Sequence, residues 1–341
     1  MTTQLLNTLY VQTQGAYLRL DGETLRVEVE KELRLQMPLL HLGALVVFGN
    51  VLLSPFLLKR CAEDGRAVVW LSTGGRFVGR LAGPVSGNVL LRKAQHEALA
   101  SAEATLAVAR QVVRGKIRAQ RDVLARAARD AAAEHEDALR RAVAQLDAAH
   151  ALALGAADVA EARGAEGQAA AVYFGVFDRL LIAGPLRFES RSRRPPRDAV
   201  NALLSFLYTV LRGDCTAALE GVGLDPQVGF LHVLRPGRPA LALDLMEEFR
   251  PGLADRLALA LVNRRQIGPQ HFEPRPGGAV YLNEEGRRIV LTAVQKRKQE
   301  TRPHRLFKEP VPVGLLPHVQ ARLLARHLRG DLPLYPPHRG R

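Results

Sequence analysis

Residues 230–251 read Phe-Leu-His-Val-Leu-Arg-Pro-Gly-Arg-Pro-Ala-Leu-Ala-Leu-Asp-Leu-Met-Glu-Glu-Phe-Arg-Pro, and they set one histidine a short turn away from an acid-bearing helix. The Pro-Gly-Arg-Pro turn ends the segment that holds His232, and Pro239 suits the first turn of the helix that follows. On that helix Asp244 and Glu247 are three apart and Asp244 and Glu248 four apart. Either pair puts two carboxylates on one face, roughly 5–6 Å apart at Cβ. Leu241, Leu245, Met246 and Phe249 supply the buried side. Pro251 must kink or split the helix, because it removes a donor and clashes with the preceding turn. Acids beside so much apolar surface need a compensating partner, and a divalent cation is one. One imidazole with hard carboxylates suits manganese or magnesium more than structural zinc. The same residues also admit a plainer reading, as a satisfied core histidine and a solvated acidic face.

A denser cluster of ligand types, Glu134-His135-Glu136-Asp137, lies in an alanine- and arginine-rich run with charges all round. It reads as a solvated helix face, because no apolar wall stands behind it.

Outward from these segments, the chain divides by composition. Residues 1–85 are β-rich, with strands expected at Thr8–Gln12, Ala16–Leu20, Thr24–Val29, Leu45–Phe48, Ala67–Ser72 and Arg76–Leu81. Asp21-Gly22 marks a hairpin turn, and Ser54–Asp64 is the one helix expected there. After Pro84 no proline occurs until Pro185, and alanine, leucine, arginine and glutamate dominate. This region is expected to be helical, with interruptions near Gly155 and Gly164. Further helices are expected near 197–212, 240–249, 252–264 and 318–328, and the tail from Pro333 is expected to be loosely ordered. The fold class is therefore α+β: a small β-rich domain over 1–85, a linker over 86–93, and a large, mainly α-helical domain over 94–341.

The chain has 341 residues with 48 Lys and Arg against 34 Asp and Glu, a formal charge of +14 and a pI near 10.5. Such a surplus favours a polyanion, and association with DNA should weaken steeply with salt. Arg187, Arg191, Arg193, Arg194 and Arg197 crowd one stretch, and Lys296, Arg297, Lys298, Arg302, His304 and Arg305 another. Either stretch can hold phosphates beside an acidic site, and either can be a solvated loop. Aromatics are only 5% of the chain, so stacking on single-stranded bases is not the main binding mode. The two cysteines, Cys61 and Cys215, argue against a disulfide framework and suit a reducing cytoplasm. No signal peptide is recognisable and no apolar run is expected to span a membrane. A phosphate loop, a dinucleotide fingerprint and His-Glu-x-x-His are all missing, which weakens nucleotide hydrolysis, hydride transfer and zinc proteolysis.

A further segment, Glu166-Gly-Gln-Ala-Ala-Ala-Val-Tyr-Phe-Gly-Val-Phe177, places one acid at the head of a small, apolar, aromatic-ended helix. Downstream come Arg-Pro-Pro-Arg-Asp-Ala-Val-Asn-Ala-Leu-Leu-Ser at 194–205, then His232, then Asp-Leu-Met-Glu-Glu-Phe-Arg-Pro at 244–251. In this order the segments resemble the CRISPR-associated spacer-acquisition integrase (CRISPR-associated protein one), over nearly the whole chain. Leu-Asn-Thr-Leu-Tyr-Val at 6–11, Gly-Pro-Val-Ser-Gly-Asn at 83–88, Gln-Lys-Arg-Lys at 295–298 and Leu-Arg-Gly-Asp at 328–331 are similar to its subtype I-C branch.

The resemblance implies Mg2+ or Mn2+ held by Glu166, His232 and Glu247, with Asp244 beside them as a fourth catalytic residue. Glu247 stands where many relatives have aspartate, and Ala171-Val172 stands where many have an arginine. It implies an endonuclease and integrase that inserts short DNA fragments into a CRISPR repeat, by direct attack of the fragment's 3′-hydroxyl, in antiviral defence. It also implies double-stranded DNA as partner, a homodimer, a dimer of the small CRISPR-associated protein two, and a cytoplasmic location. The N-terminal domain would serve dimer pairing and partner contact. The DNA contacts expected are Arg191, Arg193, Arg194, Arg197, Lys296, Arg297, Lys298 and Arg305. Two rivals are a branched-DNA repair nuclease and a non-catalytic DNA scaffold.

Overall fold

The computed structural model describes residues 7–75, 77–81, 83, 89–304 and 310–339. They fall into two compact units, one strand-rich and one helical, as the α+β reading expects. The first unit holds the N-terminal 86 residues together with Leu282–Pro303 and Pro310–Leu315, and the second holds the rest. A helix thus returns from late in the chain to the N-terminal unit, which a division at 85 and 94 alone does not anticipate. Part of the expected linker, 86–88, lies outside the described residues, as does Arg76 at the head of the last expected strand.

In the first unit the strands are β1 (Asn7–Val11), β2 (Tyr17–Asp21), β3 (Thr24–Val29), β4 (Glu32–Pro38), β5 (Leu42–Phe48), β6 (Leu52–Leu53), β7 (Ala67–Leu71) and β8 (Phe77–Arg80), with α1 (Pro55–Glu63) before β7. One sheet runs β1-β5-β7-β8 and the other β4-β3-β2-β6. The Asp21-Gly22 turn joins β2 to β3 in antiparallel register, Leu18 facing Val27 and Leu20 facing Leu25. Gly22 takes a left-handed conformation there, which costs glycine little. Leu18, Leu25, Val27, Leu45, Val47, Leu57 and Val68 form the core. Ser54 caps α1 by accepting from the Leu57 amide, and Pro55 opens the helix. The sequence expectation omits β4, a strand at the sheet edge whose residues are almost all exposed, so no buried face marks it.

The second unit begins with α2 (Val89–Ala100), α3 (Ala102–Asp130), α4 (Ala133–Gly155) and α5 (Val159–Gly175). The break expected at Gly155 is present, whereas α5 runs straight through Gly164 because Asp158 caps it and Ala162, Ala165 and Ala169 bury one small-residue face. Next come α6 (Ala199–Val222), α7 (Ala240–Glu247), a π-helical turn over Arg250–Asp255, and α8 (Arg256–Asn263). Pro251 does split the helix, as expected, with the π turn absorbing the missing donor. A two-stranded pair, β9 (Phe272–Arg275) and β10 (Ala279–Leu282), follows. Then α9 (Glu284–Gln299), β11 (Thr301–Pro303) and β12 (Pro310–Pro312) belong mainly to the first unit, and α10 (Leu316–Leu328) closes the second.

Two expectations need correction. By length and composition α6 is apolar enough to cross a membrane, the one such helix among the described residues. It buries Leu203, Leu204, Leu207 and Leu219 and packs on α7 and α10, the behaviour of a core helix. The tail is not loose where it is described: Tyr335 is 1% exposed and hydrogen-bonded inside the second unit. Cys61 and Cys215 are both buried, and no disulfide joins them.

Candidate active site

Four elements of the second unit bring the chemistry together: α5 with Glu166, α7 with Asp244 and Glu247, the irregular segment carrying His232, and α3 with a lysine. The His232 segment has no ladder of its own, so its amides need other partners. Asp244, fully buried, supplies them. Its Oδ2 accepts from the amides of Phe230 (2.6 Å) and Leu231 (2.9 Å), and its Oδ1 from the amide of His232 (2.9 Å). At the start of α7 the Pro226 carbonyl accepts from Leu241 and Ala242, filling the place of a side-chain cap. Gly229 lets the two strands of chain meet, since a Cβ there would lie 2.6 Å from the Ala240 carbonyl carbon and 2.8 Å from Asp244 Oδ2. Arg163, one turn before Glu166 on α5, donates to the Leu231 carbonyl at 2.6 Å and ties the segment down from the other side.

Asp244 also settles the histidine. Its Oδ1 lies 2.7 Å from His232 Nδ1, and an ionised carboxylate only accepts, so Nδ1 carries the proton. His232 Nε2 is left with its lone pair, 4.0 Å from Glu247 Oε1. A carboxylate behind an imidazole in this way is the usual support of a metal-binding histidine.

Lys116 lies between the two glutamates. Its ammonium is 2.7 Å from Glu247 Oε2 and also pairs with Glu166, and the residue is 2% exposed. Glu247 is held from behind by Arg250, which donates to both carboxylate oxygens at 2.7 and 2.9 Å. Burial alone would raise the Glu247 pKa, but Arg250 and Lys116 together hold it well below the usual carboxylate range. The Arg250 guanidinium lies 4.2 Å over the Tyr208 ring, and the Tyr208 hydroxyl donates to Asp255 at 2.6 Å. Burial pushes the Asp255 acid up despite the nearby arginine.

The structure therefore brings Glu166, His232, Asp244 and Glu247 into one place, and it separates Glu248, which turns away. Among the described residues no three of His, Cys, Asp and Glu converge closely enough to hold a metal ion as they stand. The Lys116 ammonium stands between Glu166 and Glu247 as a cation would. The cluster at Glu134–Asp137 stays at the surface, with Glu136 paired to Arg140 and His135 beside Arg179.

The basic residues divide. Arg193, Arg194 and Arg197 are exposed in the second unit. Arg191 is turned inward, donating to Asn201 and Ser205 with its guanidinium 5.3 Å over Tyr208, so it braces the loop more than it faces solvent. Lys296, Arg297 and Lys298 lie on α9, in the first unit, and Arg297 pairs with Glu300. Arg305 lies outside the described residues.

Lys116, Arg163 and Arg250 were given no role from sequence. A usable signal existed for the first: Val112, Lys116 and Gln120 recur every four residues on the buried stripe of α3, where a lysine needs an acidic partner.

The profile described as CRISPR associated protein Cas1 matches residues 9–296. The CRISPR-associated endonuclease Cas1 1 of Moorella thermoacetica is 55% identical over 340 residues, 98% of each chain. CRISPR-associated endonuclease Cas1 2 of Rhodospirillum rubrum is 51% identical over 343 residues, again 98% of each. Among solved structures, a Cas1 protein from Thermotoga maritima has a TM-score of 0.83 at 26% identity, covering 97% of this chain and 100% of that one. A casposase bound to its integration product has a TM-score of 0.81 at 20% identity, covering 96% and 92%, a likeness of fold alone.

Proposed function

The chain belongs to the CRISPR-associated protein Cas1 family, whose members named above are endonucleases, and on that premise we propose that it is a divalent-metal-dependent DNA endonuclease and integrase. The substrate reading is a short duplex fragment joined to the strands of a CRISPR repeat. The observation that carries it is the pairing of a proton-fixed His232 with two acids, Glu166 and Glu247, that already share one cation.

The donors fit a hard divalent ion. Two carboxylates and one imidazole lone pair are the right chemistry for Mg2+ or Mn2+, and the Lys116 ammonium marks where positive charge is stabilised. Glu166, His232 and Glu247 would hold the ion, with Lys116 giving up its central place. A bound ion would supply Lewis-acid stabilisation of charge on the reacting phosphate.

The chain's own residues do the positioning. Asp244 keeps the His232 proton on Nδ1 and the lone pair on Nε2. Arg250 fixes the plane of the Glu247 carboxylate. Lys116, displaced from the acids, is within reach of an incoming phosphate and can offset its charge. In the joining step the fragment's 3′-oxygen attacks a phosphorus of the repeat, loses its proton, and a new P–O bond replaces the one that breaks. The departing 3′-oxygen takes up a proton. One phosphodiester is exchanged for another, so the reaction needs no nucleotide. With water as attacker, the same groups would cleave DNA.

The exposed Arg193, Arg194 and Arg197 would hold backbone phosphates beside this site, and the +14 charge favours the same partner. In the first unit Leu33, Leu35, Leu52 and Phe56 are exposed on and beside the β4-β3-β2-β6 sheet, which supports protein pairing there. We assign that pairing to a second copy of this chain and to a dimer of CRISPR-associated protein two, the latter because a Cas6-RT-Cas1–Cas2 complex contains a chain of this fold (TM-score 0.82, 23% identity, covering 97% of this chain and 36% of that one). We also assign a cytoplasmic, defence-related setting, and the subtype I-C branch from the segments at 6–11, 83–88, 295–298 and 328–331.

The test is strand transfer into a supercoiled plasmid carrying the cognate repeat, with the partner protein, a 3′-hydroxyl duplex and Mn2+. Joining at the repeat borders, lost with a 3′-dideoxy fragment, supports the integrase. Cleavage of branched DNA without joining favours a repair nuclease, and DNA binding unchanged by Glu166→Ala without any cleavage favours a scaffold.

A further inference from the structure

Glu248, next to Glu247 in the chain, points into the C-terminal segment. Its Oε1 accepts from the Tyr335 hydroxyl at 2.6 Å, and its Oε2 from the His338 amide at 2.5 Å and the Gln320 side chain at 3.3 Å. Gln320, on α10, lies 2.9 Å from the Tyr335 hydroxyl and donates to the Pro336 carbonyl at 3.0 Å. Glu248, Gln320 and Tyr335 are each 1% exposed. The His338 ring sits 4.8 Å from that of Phe249. From the other side Gly115, next to Lys116 on α3, leaves just enough room: a Cβ there would stand 3.0 Å from Pro337 and 3.1 Å from Glu248 Cγ.

We propose that residues Tyr335–His338 form a strap that positions the site, fixing Glu247 through Glu248 and Phe249, and Lys116 through Gly115. The proposal rests on the reading of Glu166, His232 and Glu247 as a cation site. It follows from where the strap attaches. The α-helix ends at Glu247 and a π turn with Pro251 begins three residues later, so Glu248 and Phe249 stand at the change from one helical form to the other, held by single bonds such as Leu253 N–H to the Phe249 carbonyl at 2.8 Å. Side-chain bonds to the strap add a second constraint at this junction. Tyr335 and His338 act on the site through Glu248 and Phe249, which makes them positioning residues.

Two measurements on full-length protein decide the matter: amide hydrogen exchange over residues 240–250, and Mn2+ binding by its electron paramagnetic resonance spectrum. The variants are Tyr335→Phe, which keeps the ring and removes one donor, and Tyr335→Ala. Leu139→Ala, in the buried face of α4, serves as a control for general destabilisation. The strap predicts that Tyr335→Ala speeds exchange over 240–250 at least tenfold and weakens Mn2+ binding at least fivefold. Tyr335→Phe should fall between, and Leu139→Ala should leave both near wild type. If Tyr335→Ala changes exchange over 240–250 no more than Leu139→Ala does, the strap is wrong. If wild-type protein binds no Mn2+, the cation reading fails by itself, and the exchange data still decide the strap.

Discussion

Asp244 and His232 are joined twice through one oxygen: Asp244 Oδ1 accepts from the His232 amide at 2.9 Å and from its ring Nδ1 at 2.7 Å. The other oxygen takes the amides of Phe230 and Leu231. A single buried carboxylate thus sets both the path of the segment and the tautomer of the ring. In Asp244→Asn the NH2 must face donors whichever way the amide is flipped. Each buried donor left unmatched costs about 1–3 kcal/mol. Urea denaturation should show that loss, and Mn2+ affinity should fall by roughly 10–100-fold, as for other supporting partners of metal-bound histidines. Wild-type affinity in Asp244→Asn would remove Asp244 from this role.

Lys116→Met leaves Glu166 and Glu247 facing each other without their shared cation. In chelator the variant should be less stable than wild type, by less than the roughly 3–5 kcal/mol of a buried charge left with no partner, because Arg250 still pairs with Glu247. Added Mn2+ should then raise its melting temperature more than it raises that of wild type, because no ammonium has to be displaced. An equal or smaller rise would show that Lys116 does not compete for the ion's place.

Gly229→Ala should cripple the site through sterics alone. The new methyl would meet backbone atoms of Ala240 and Leu241 at 2.6 and 2.7 Å, which cannot swing aside. A loss of about 1–3 kcal/mol is expected, with strand transfer lost as well. Gly213→Ala, in α6 with open space at its Cβ, should instead be neutral or gain up to about 1 kcal/mol. Comparable behaviour of the two variants in thermal melts would contradict the close approach of the His232 segment to α7.

Stability should depend on pH through Glu248. Burial pushes its acid from 4.5 up to about 8, against the hydrogen bonds from Tyr335, His338 and Gln320. Between those values the unfolded chain has released the proton and the folded chain keeps it, so stability falls as pH rises and levels off above about 8. The slope from this group is at most about 1.4 kcal/mol per pH unit. Glu247 shifts the other way, so its contribution is present across this window and is lost only in strong acid. Denaturation in chelator from pH 5 to 8 should give a flatter profile for Glu248→Gln than for wild type. Parallel profiles would mean that Glu248 is ionised in the folded protein.

Much of this was legible in the sequence because local rules agreed with the fold. Asp21-Gly22 does make the hairpin, Ser54-Pro55 does start α1, and Pro251 does split the acid-bearing helix. The spacing of Asp244, Glu247 and Glu248 put acids on neighbouring faces, but spacing cannot say which acid turns to which wall. That is decided by what packs there: Arg250 and Lys116 on one side, Gln320 and Tyr335 on the other. β4 escaped notice because an exposed edge strand has no buried face, and α9 because its basic end masks an apolar face of Val290, Leu291 and Val294. The tail misled for a related reason. Its prolines and terminal position suggest disorder, whereas one buried carboxylate three helices earlier in the fold anchors it.

The most direct measurement is anomalous diffraction at the manganese edge from crystals soaked in Mn2+. The account predicts one strong peak bonded to Glu166, His232 Nε2 and Glu247, with the Lys116 ammonium moved out from between the two glutamates. Lys116 unmoved with no peak beside it, or a peak at Glu134–Asp137 in its place, would contradict the assignment of this cluster as the metal centre.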